Sequence, residues 1–215
     1  MLHTQARNTD HPETVFIVDD DEAVRDSLQW LIETEGYQVK CYEDPALFLE
    51  QLEWPQACVL LLDIRMPKLS GLEVQKTLNE RAIPIPIVFI TGHGDVTMAV
   101  ETMKNGAVDF LEKPFDEAKI KELLQLHMQR AQELAQTAKQ DEQINRLYSK
   151  LTSRELQVLE RIVSGRLNKQ IADDLNISIK TVEAHRANIM DKLQVTTVAD
   201  LLKIALRKSP ELAQP

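Results

Sequence analysis

The feature that most constrains the fold is a series of short apolar segments, each followed by polar residues, that alternate with amphipathic helical stretches. The apolar segments are residues 15–18, 38–42, 58–62, 85–90 and 108–111. Strands that are apolar on both faces and are separated by helices are typical of a parallel sheet covered on both sides. The sequence therefore predicts an α/β doubly wound, five-stranded parallel sheet, with helices at 22–35, 45–52, 71–80 and 95–105.

Polar side chains follow four of these strands. In an open parallel sheet, ligands bind outside the carboxyl ends of the strands, so we expect these side chains to meet in one crevice. They are Asp19 and Asp20 after the first strand, Asp63 after the third, Thr91 after the fourth and Lys113 after the fifth. Clustered carboxylates raise one another's pKa, and a hard divalent cation such as Mg²⁺ removes that repulsion. A seated cation, Lys113 and Thr91 could then surround a phosphoryl group, with Asp63 as the nucleophile.

A purely structural alternative for these acids is helix capping. Asp19, Asp20 and Asp21 directly precede the first helix, and one of them is expected to cap it. Capping does not explain five suitable side chains on four strand ends of one sheet, which favours the phosphoryl site.

Charge divides the chain into an acidic and a basic part. Residues 1–149 carry a net charge of −12 and residues 150–209 a net charge of +4, within a total of −9 for the 215 residues. An acidic module should repel nucleic acid, whereas a basic one can bind phosphate backbones. Residues 1–13 are polar, which predicts a disordered tail rather than a signal peptide. Cys41 and Cys58 lie too far apart for a Cys-x-x-Cys site, which favours a reducing compartment.

The remainder of the chain is predicted to be helical. The last sheet helix, from residue 117, is expected to run on into a linker helix, with a flexible linker after about Arg130 as the alternative. Thr152 and Glu155 form a capping-box pattern at the start of the next helix. Helices over residues 169–175, capped by Asn168, and 179–193 are separated by a short turn, which indicates a helix-turn-helix in a four-helix domain. The predicted divisions are 1–13, 14–130, 131–149 and 150–209.

The second of these two helices has an apolar and a polar face. Val182, Ile189 and Leu193 share the face that should pack inside. The opposite face is expected to enter the major groove, where Glu183 could accept from cytosine and alanine methyls could touch thymine. The predicted DNA-contacting residues are Lys169, Lys180, Thr181, Glu183, Ala184, Ala187, Asn188 and Lys192. For each of them, a solvated surface position is the alternative.

Seven sequence motifs together resemble one family. The first four are IVDDDEAVR, LLLDIRMPKLSG, VFITGHGD and DFLEKPF, which are similar to bacterial response-regulator receiver domains. The other three are LTSRELQVL, NKQIADDLNIS and KTVEAHRANIMDKL, which resemble the LuxR-type helix-turn-helix. The combination resembles the NarL/FixJ family of two-component response regulators over about residues 14–208. The resemblance implies a flavodoxin-like receiver that is phosphorylated on Asp63 by a sensor histidine kinase.

The resemblance also implies roles for individual residues. Asp20, Asp63 and the Arg65 main-chain carbonyl would bind Mg²⁺ directly, and Asp19 would act through water. Thr91 and Lys113 would contact the phosphoryl oxygens, and the Lys113–Pro114 bond would be cis. Phe110 occupies the aromatic switch position, with plain core packing as the alternative. From their positions two residues after Asp63 and Thr91, Arg65 and His93 are expected to flank the path of attacking water, with solvated surface as the alternative for both. Val96, Met98, Val100 and Met103 lie on or near the face that is expected to contribute to dimerisation, with core packing as the alternative for some of them.

We therefore expect a cytoplasmic transcriptional regulator that is not an enzyme acting on a separate substrate. Its expected partners are a sensor histidine kinase, promoter DNA, a second copy of the chain after phosphorylation, and RNA polymerase, without a membrane. Three alternatives remain. A haloacid-dehalogenase-type phosphohydrolase would need an acid where Arg65 stands, and a flavodoxin-like carrier would place FMN phosphate against Asp19–Asp21. In the third alternative, the second domain binds a protein instead of DNA.

Overall fold

The computed structural model describes residues 13–54, 56–92, 100 and 102–208. The chain divides into two compact units, Met1–Ala138 and Lys139–Pro215.

The first unit contains the predicted five-stranded parallel sheet. Its strands are β1 (Thr14–Val18), β2 (Gln38–Tyr42), β3 (Cys58–Asp63), β4 (Ile87–Thr91) and β5 (Asp109–Glu112). The spatial order is β2-β1-β3-β4-β5, and every pairing is parallel. The order reverses between β1 and β3, so the crevice for a ligand lies at the carboxyl ends of these two strands. β1, β3 and β4 are buried throughout, as their unbroken apolar sequences predict.

Helices cover both faces of this sheet. They are α1 (Glu22–Thr34), α2 (Pro45–Gln51), α3 (Gly71–Glu80) and the long α4 (Glu117–Tyr148). One core cluster packs α1 and the start of α4 against Val15, Ile17 and Leu61. The other packs α2 and α3 against Phe16, Leu60 and Phe89. The strands thus contribute alternate side chains to two apolar layers, one on each face.

Two predicted segments lie wholly or partly outside the described residues. Most of the predicted helix over residues 95–105 lies outside the described residues, although 102–104 are helical and lead to Gly106. Residues 1–12 of the predicted disordered tail also lie outside the described residues. Glu13 accepts a 3.0 Å hydrogen bond at its carbonyl from the Gln38 N–H, so the ladder between β1 and β2 extends to it.

α4 is one helix of 32 residues, as the uninterrupted helical sequence after residue 117 predicts. In the second unit it is followed by α5 (Ser153–Val163), α6 (Asn168–Leu175), α7 (Ile179–Lys192) and α8 (Val198–Lys208). These helices enclose an apolar core that includes Val158, Ile171, Val182 and Leu201. Asn176 at the end of α6 has a φ of 51°, a left-handed conformation that turns the chain toward α7.

The predicted caps of the second unit are right at two helices and wrong at one. Thr152 and Glu155 form the capping box of α5, and Ser178 caps α7 by accepting from the Thr181 N–H at 3.1 Å. Asn168 does not cap α6, because it is the first residue of that helix. The cap position belongs to Leu167, whose N–H donates to Gln170 Oε1 at 2.9 Å. A glutamine that bonds back to the cap backbone replaces the usual polar cap side chain here.

Candidate functional site

The structure brings the side chains at the strand ends into one pocket. It has a volume of about 360 Å³ and lies at the carboxyl ends of β1, β3, β4 and β5. Asp19, Asp63 and Thr91 are buried, whereas Asp20 is exposed at the pocket wall. The lining residues include Asp19, Asp20, Asp21, Asp63, Arg65, Thr91 and Lys113. The clustering expected from the topology is therefore present.

Lys113 connects two of the carboxylates. Its Nζ lies 2.8 Å from Asp19 Oδ2 and 2.9 Å from Asp63 Oδ1, so one ammonium bridges the acids at the ends of β1 and β3. Lys113 can reach them because β5 ends beside β4, where the Lys113 N–H donates to the Thr91 carbonyl at 2.8 Å. The peptide bond between Lys113 and Pro114 is cis, as the resemblance implies.

Main-chain groups hold the other carboxylate oxygens. Asp63 Oδ2 accepts a 2.6 Å hydrogen bond from the Arg65 N–H, and Asp19 Oδ1 accepts a 2.9 Å hydrogen bond from the Asp21 N–H. The Arg25 guanidinium donates to the Asp19 carbonyl oxygen at 2.7 Å. Sequence reasoning did not identify Arg25, although its position one turn into α1 places it near the end of β1.

The three consecutive acids after β1 have different environments. Asp21 is the N-cap of α1, since its Oδ1 accepts from the Ala23 N–H at 2.9 Å. Asp19 is completely buried and bonded to Lys113. The expectation that one acid of the triplet caps the helix is met by Asp21, which also lines the pocket together with Asp19 and Asp20.

Burial and charge perturb the titration of this cluster. Burial, together with the neighbouring Asp19 charge, raises the pKa of Asp63 above its ordinary value, although Lys113 and the Arg65 N–H oppose the rise. Burial alone would lower the pKa of Lys113, but its hydrogen bonds to Asp19 and Asp63 outweigh burial and raise that pKa. Lys113 is therefore held as an ammonium ion between the two acids.

The donor chemistry of the pocket fits a hard divalent cation. Asp19, Asp20, Asp21 and Asp63 line the pocket, and the Lys113 ammonium lies within bonding distance of the buried pair Asp19 and Asp63. Oxygen donors with excess negative charge suit Mg²⁺. Within the described residues, no three Asp, Glu, His or Cys side chains are already arranged as a metal cluster. The ammonium between Asp19 and Asp63 neutralises part of the charge that a cation would meet.

Gly71 lies against the backbone of Asp63. A Cβ at this position would overlap the Asp63 carbonyl oxygen and would come within 3.0 Å of the Phe89 ring. The N-terminus of α3 can therefore approach the end of β3 only because residue 71 has no side chain. Sequence analysis treated Gly71 merely as the start of a helix and missed this contact.

Other residues singled out from the sequence lie around the pocket or beyond the described residues. Phe110 on β5 is 44% exposed, so its ring is not core packing in this structure. Arg65 is exposed beside Asp63, and Val100 and Met103 are also exposed. His93, Val96 and Met98 lie outside the described residues.

The second unit presents the predicted helix-turn-helix, α6 and α7. Val182, Ile189 and Leu193 are buried, as the periodicity predicts. Thr181 is half-buried, and its hydroxyl lies 2.8 Å from that of Ser178. The exposed members of the predicted DNA-contacting set are Lys169, Lys180, Glu183, Ala184, Ala187 and Asn188.

Lys192 differs from the other predicted phosphate contacts. Its Nζ lies 2.7 Å from Glu155 Oε2 and 3.0 Å from Oε1, and Glu155 is buried. The ammonium is thus directed at an internal carboxylate. Helical periodicity could not reveal this pairing, because Glu155 lies on a different helix, 37 residues earlier.

Comparison with known proteins decides the family. Residues 15–125 match the response regulator receiver domain, and residues 149–205 match the bacterial regulatory proteins of the luxR family. The chain is a response regulator. It combines a receiver domain with a LuxR-type DNA-binding domain and belongs to the transcription regulators of two-component systems.

Curated relatives resemble this response regulator over nearly its whole length. It is 41% identical to the response regulator protein TmoT of Ectopseudomonas mendocina, over 94% of this chain and 92% of the relative. It is 44% identical to the transcriptional regulatory protein FixJ of Rhizobium meliloti, over 90% and 95% of the two chains. It is also 41% identical to the tetrathionate response regulatory protein TtrR of Salmonella typhimurium, over 94% of each.

Solved structures give the same assignment. The response regulator StyR matches with a TM-score of 0.77 and 42% identity, over 91% of this chain and 99% of that one. Full-length FixJ from B. japonicum matches with a TM-score of 0.54 and 36% identity, over 93% and 98% of the two chains. Among the described residues, no helix is both long and apolar enough to span a membrane.

Proposed function

We propose that this response regulator accepts a phosphoryl group on Asp63 from the phosphohistidine of a sensor histidine kinase, and that phosphorylation promotes dimerisation and promoter binding. The observation that carries the proposal is the buried Asp63 carboxylate, bonded to Lys113 beside Asp19 in an oxygen-rich pocket. Buried acids with this arrangement at the carboxyl edge of a parallel sheet suit phosphoryl chemistry.

In the proposed step, an Asp63 carboxylate oxygen attacks phosphorus. The new O–P bond forms as the P–N bond to the kinase histidine breaks, and the imidazole nitrogen keeps the electron pair. Both Lys113 and Thr91 line the pocket. The Lys113 ammonium and the Thr91 hydroxyl stabilise the charge on the phosphoryl oxygens. The protein is accordingly a phospho-acceptor that takes part in its own phosphorylation and slow dephosphorylation, rather than an enzyme acting on a separate substrate.

Asp20, Asp63 and the Arg65 carbonyl are the residues that would hold Mg²⁺ directly, with Asp19 acting through water. The bound cation would supply charge neutralisation for the approaching phosphoryl group. Asp20 suits a direct ligand because it is exposed at the pocket wall, whereas Asp19 already bonds Lys113 and the Asp21 N–H.

DNA binding is assigned to the exposed face of α7. Lys169, Lys180 and Thr181 are proposed to contact phosphates, whereas Glu183, Ala184, Ala187 and Asn188 face the base edges. Residues 150–209 carry a net charge of only +4 and should bind DNA weakly as a monomer, so two copies on paired half-sites supply the missing affinity. Promoter DNA as the ligand implies a cytoplasmic location, with RNA polymerase as a further partner.

The proposal is tested by radiolabelled phosphotransfer to the wild-type chain, Asp63→Asn and Asp63→Ala, with and without Mg²⁺. Label should enter only the wild type, depend on Mg²⁺ and map to the peptide containing Asp63. Light scattering should then detect a dimer, and a mobility-shift assay at several salt concentrations should detect DNA binding that weakens as salt rises. Equal labelling of Asp63→Asn would refute the acceptor assignment, and DNA binding without salt dependence would refute the assigned interface.

A further inference from the structure

Glu155 is a buried carboxylate at the beginning of α5, although acids are rarely buried so completely. Its Oε2 accepts hydrogen bonds from the Thr152 N–H at 2.8 Å and the Thr152 hydroxyl at 3.0 Å. Both of its oxygens also accept from Lys192 Nζ. A capping box needs only the bonds to Thr152, so the contact with Lys192 is additional.

Lys192 is the last residue of α7, the helix whose exposed face is assigned to DNA. The pair therefore ties the C-terminal end of the reading helix to the N-terminal end of α5. Both charges also complement their helices, since an acid is favourable in a first turn and a lysine in a last turn. The contact therefore holds the C-terminal end of α7 against the buried Glu155 carboxylate.

The neighbouring residue holds the other helix of the helix-turn-helix. Leu175 is the last residue of α6, and its carbonyl oxygen accepts a 2.5 Å hydrogen bond from Arg154 Nη2. Arg161, two turns along α5, lies 3.7 Å from Asp174. Consecutive residues at the beginning of α5 thus contact the C-terminal ends of both α6 and α7.

Ion pairs of this kind contribute little net stability, because desolvation offsets much of the attraction. Replacing both partners with neutral side chains is often tolerated, whereas removing one leaves a buried charge without a partner. A pair that contributes little to stability can still select one orientation of a helix. Lys192 also cannot serve a DNA phosphate fully while Glu155 neutralises it.

We propose that Glu155 and Lys192 are positioning residues that set the orientation of α7 for sequence-specific DNA recognition, and that Lys192 is not a phosphate contact. This inference rests on DNA binding by the second unit. It replaces the expectation, drawn from sequence alone, that Lys192 binds the DNA backbone.

The experiment compares Lys192→Met, Glu155→Gln, the double variant and Lys180→Met in the full chain. Affinity is measured for a duplex that the wild type selects from a random-sequence pool, and for an unselected duplex of equal length, across a salt series. Thermal unfolding reports folding. Spin labels at the exposed positions Gln157 and Asn188 report the distance between α5 and α7 without DNA.

We expect the double variant to unfold close to the wild-type temperature, yet to lose about tenfold or more of its preference for the selected duplex, with a broadened spin-label distance. The salt dependence of Lys192→Met should match the wild type, whereas the slope of Lys180→Met should fall by about one phosphate contact. A reduced slope for Lys192→Met would overturn the proposal.

Full recovery of both sequence preference and label distance in the double variant would also overturn it, because a merely structural pair would behave in that way. The label distance decides the positioning role even if the wild type selects no duplex, a result that would contradict only the proposed DNA binding.

Discussion

Gly71 and Asp63 approach so closely that the hydrogen on the glycine Cα is all that fits beside the aspartate carbonyl. A methyl group at residue 71 must displace either the end of β3 or the start of α3. We therefore expect Gly71→Ala to lower the free energy of unfolding by about 1–3 kcal/mol, the usual range for overpacking. It should also slow phosphorylation of Asp63, because the displaced backbone carries the acceptor.

Gly92→Ala is the matched control for stability, since a Cβ there meets nothing within 4 Å. Gly92 lines the phosphoryl pocket, so the phosphorylation rate of Gly71→Ala is compared with that of the wild type. Denaturant unfolding and the rate of phosphorylation by acetyl phosphate measure the two effects. If both alanine variants are equally stable, the close approach of Gly71 has no energetic consequence.

Asp20 and Asp21 should respond differently to replacement by alanine. Asp21→Ala removes the α1 cap and should cost about 1 kcal/mol of stability, with Mg²⁺ affinity largely kept. Asp20→Ala should weaken Mg²⁺ binding and phosphorylation with little loss of stability, because Asp20 is exposed. Calorimetric Mg²⁺ titration and thermal unfolding of the two variants check this, and the reverse assignment of effects would contradict the site described above.

Phe110 and Phe89 are paired neighbours on β5 and β4 with opposite environments. Phe89 is completely buried, so Phe89→Ala should cost about 3–5 kcal/mol. Phe110 is 44% exposed, and its replacement should cost well under about 1 kcal/mol. The phosphorylation-dependent change in dimerisation should nevertheless weaken in Phe110→Ala, as light scattering of the phosphorylated protein would show. An unaltered dimer would exclude a switching role for Phe110.

Acid should loosen the second unit through Glu155. Burial alone would raise the pKa of Glu155, but the hydrogen bonds from Lys192 and Thr152 outweigh burial and hold this pKa below its ordinary value. A carboxyl with a lowered folded-state pKa stabilises the fold above its unfolded-state pKa and loses that contribution as pH falls through the folded-state value. We expect amide exchange in α5 and α7, corrected for the intrinsic rate, to accelerate below about pH 4.5.

Glu155→Gln should flatten this pH dependence, because glutamine does not titrate. Hydrogen-exchange mass spectrometry of peptides from α5 and α7 measures the exchange rates in the wild type and in Glu155→Gln. Identical pH profiles for wild type and variant would assign the acid sensitivity to other carboxyls, such as Asp200, whose pKa is also lowered by its bonds to Thr197 and Lys203.

The sequence predicts the sheet well because the apolar character of β1, β3 and β4 can be read from each strand alone, without knowledge of its tertiary contacts. Their unbroken apolar runs require burial on both faces, and parallel topology then brings Asp19, Asp63 and Lys113 to one edge. The buried face of α7 follows from its periodicity in the same way.

Contacts between distant segments were not predictable by these means. In sequence, Glu155 is indistinguishable from the acid of an ordinary capping box. Its burial and its contact with Lys192 are visible only in the folded domain. The cap of α6 was misassigned to Asn168 because asparagine is a common cap, whereas the bond from Gln170 allows Leu167 to occupy that position. Gly71 carries no sequence signal that separates close approach from an ordinary helix start.

Both carboxylate oxygens of Asp63 accept hydrogen bonds in this structure: Oδ1 from Lys113 Nζ, and Oδ2 from the Arg65 N–H. An arriving phosphoryl group therefore competes with donors that already face the place where its oxygens will lie. Because these donors are in place before the reaction, the polar surroundings need little rebuilding when the charge moves from carboxylate to phosphate. Folding has therefore already positioned the donors that stabilise the transferred charge.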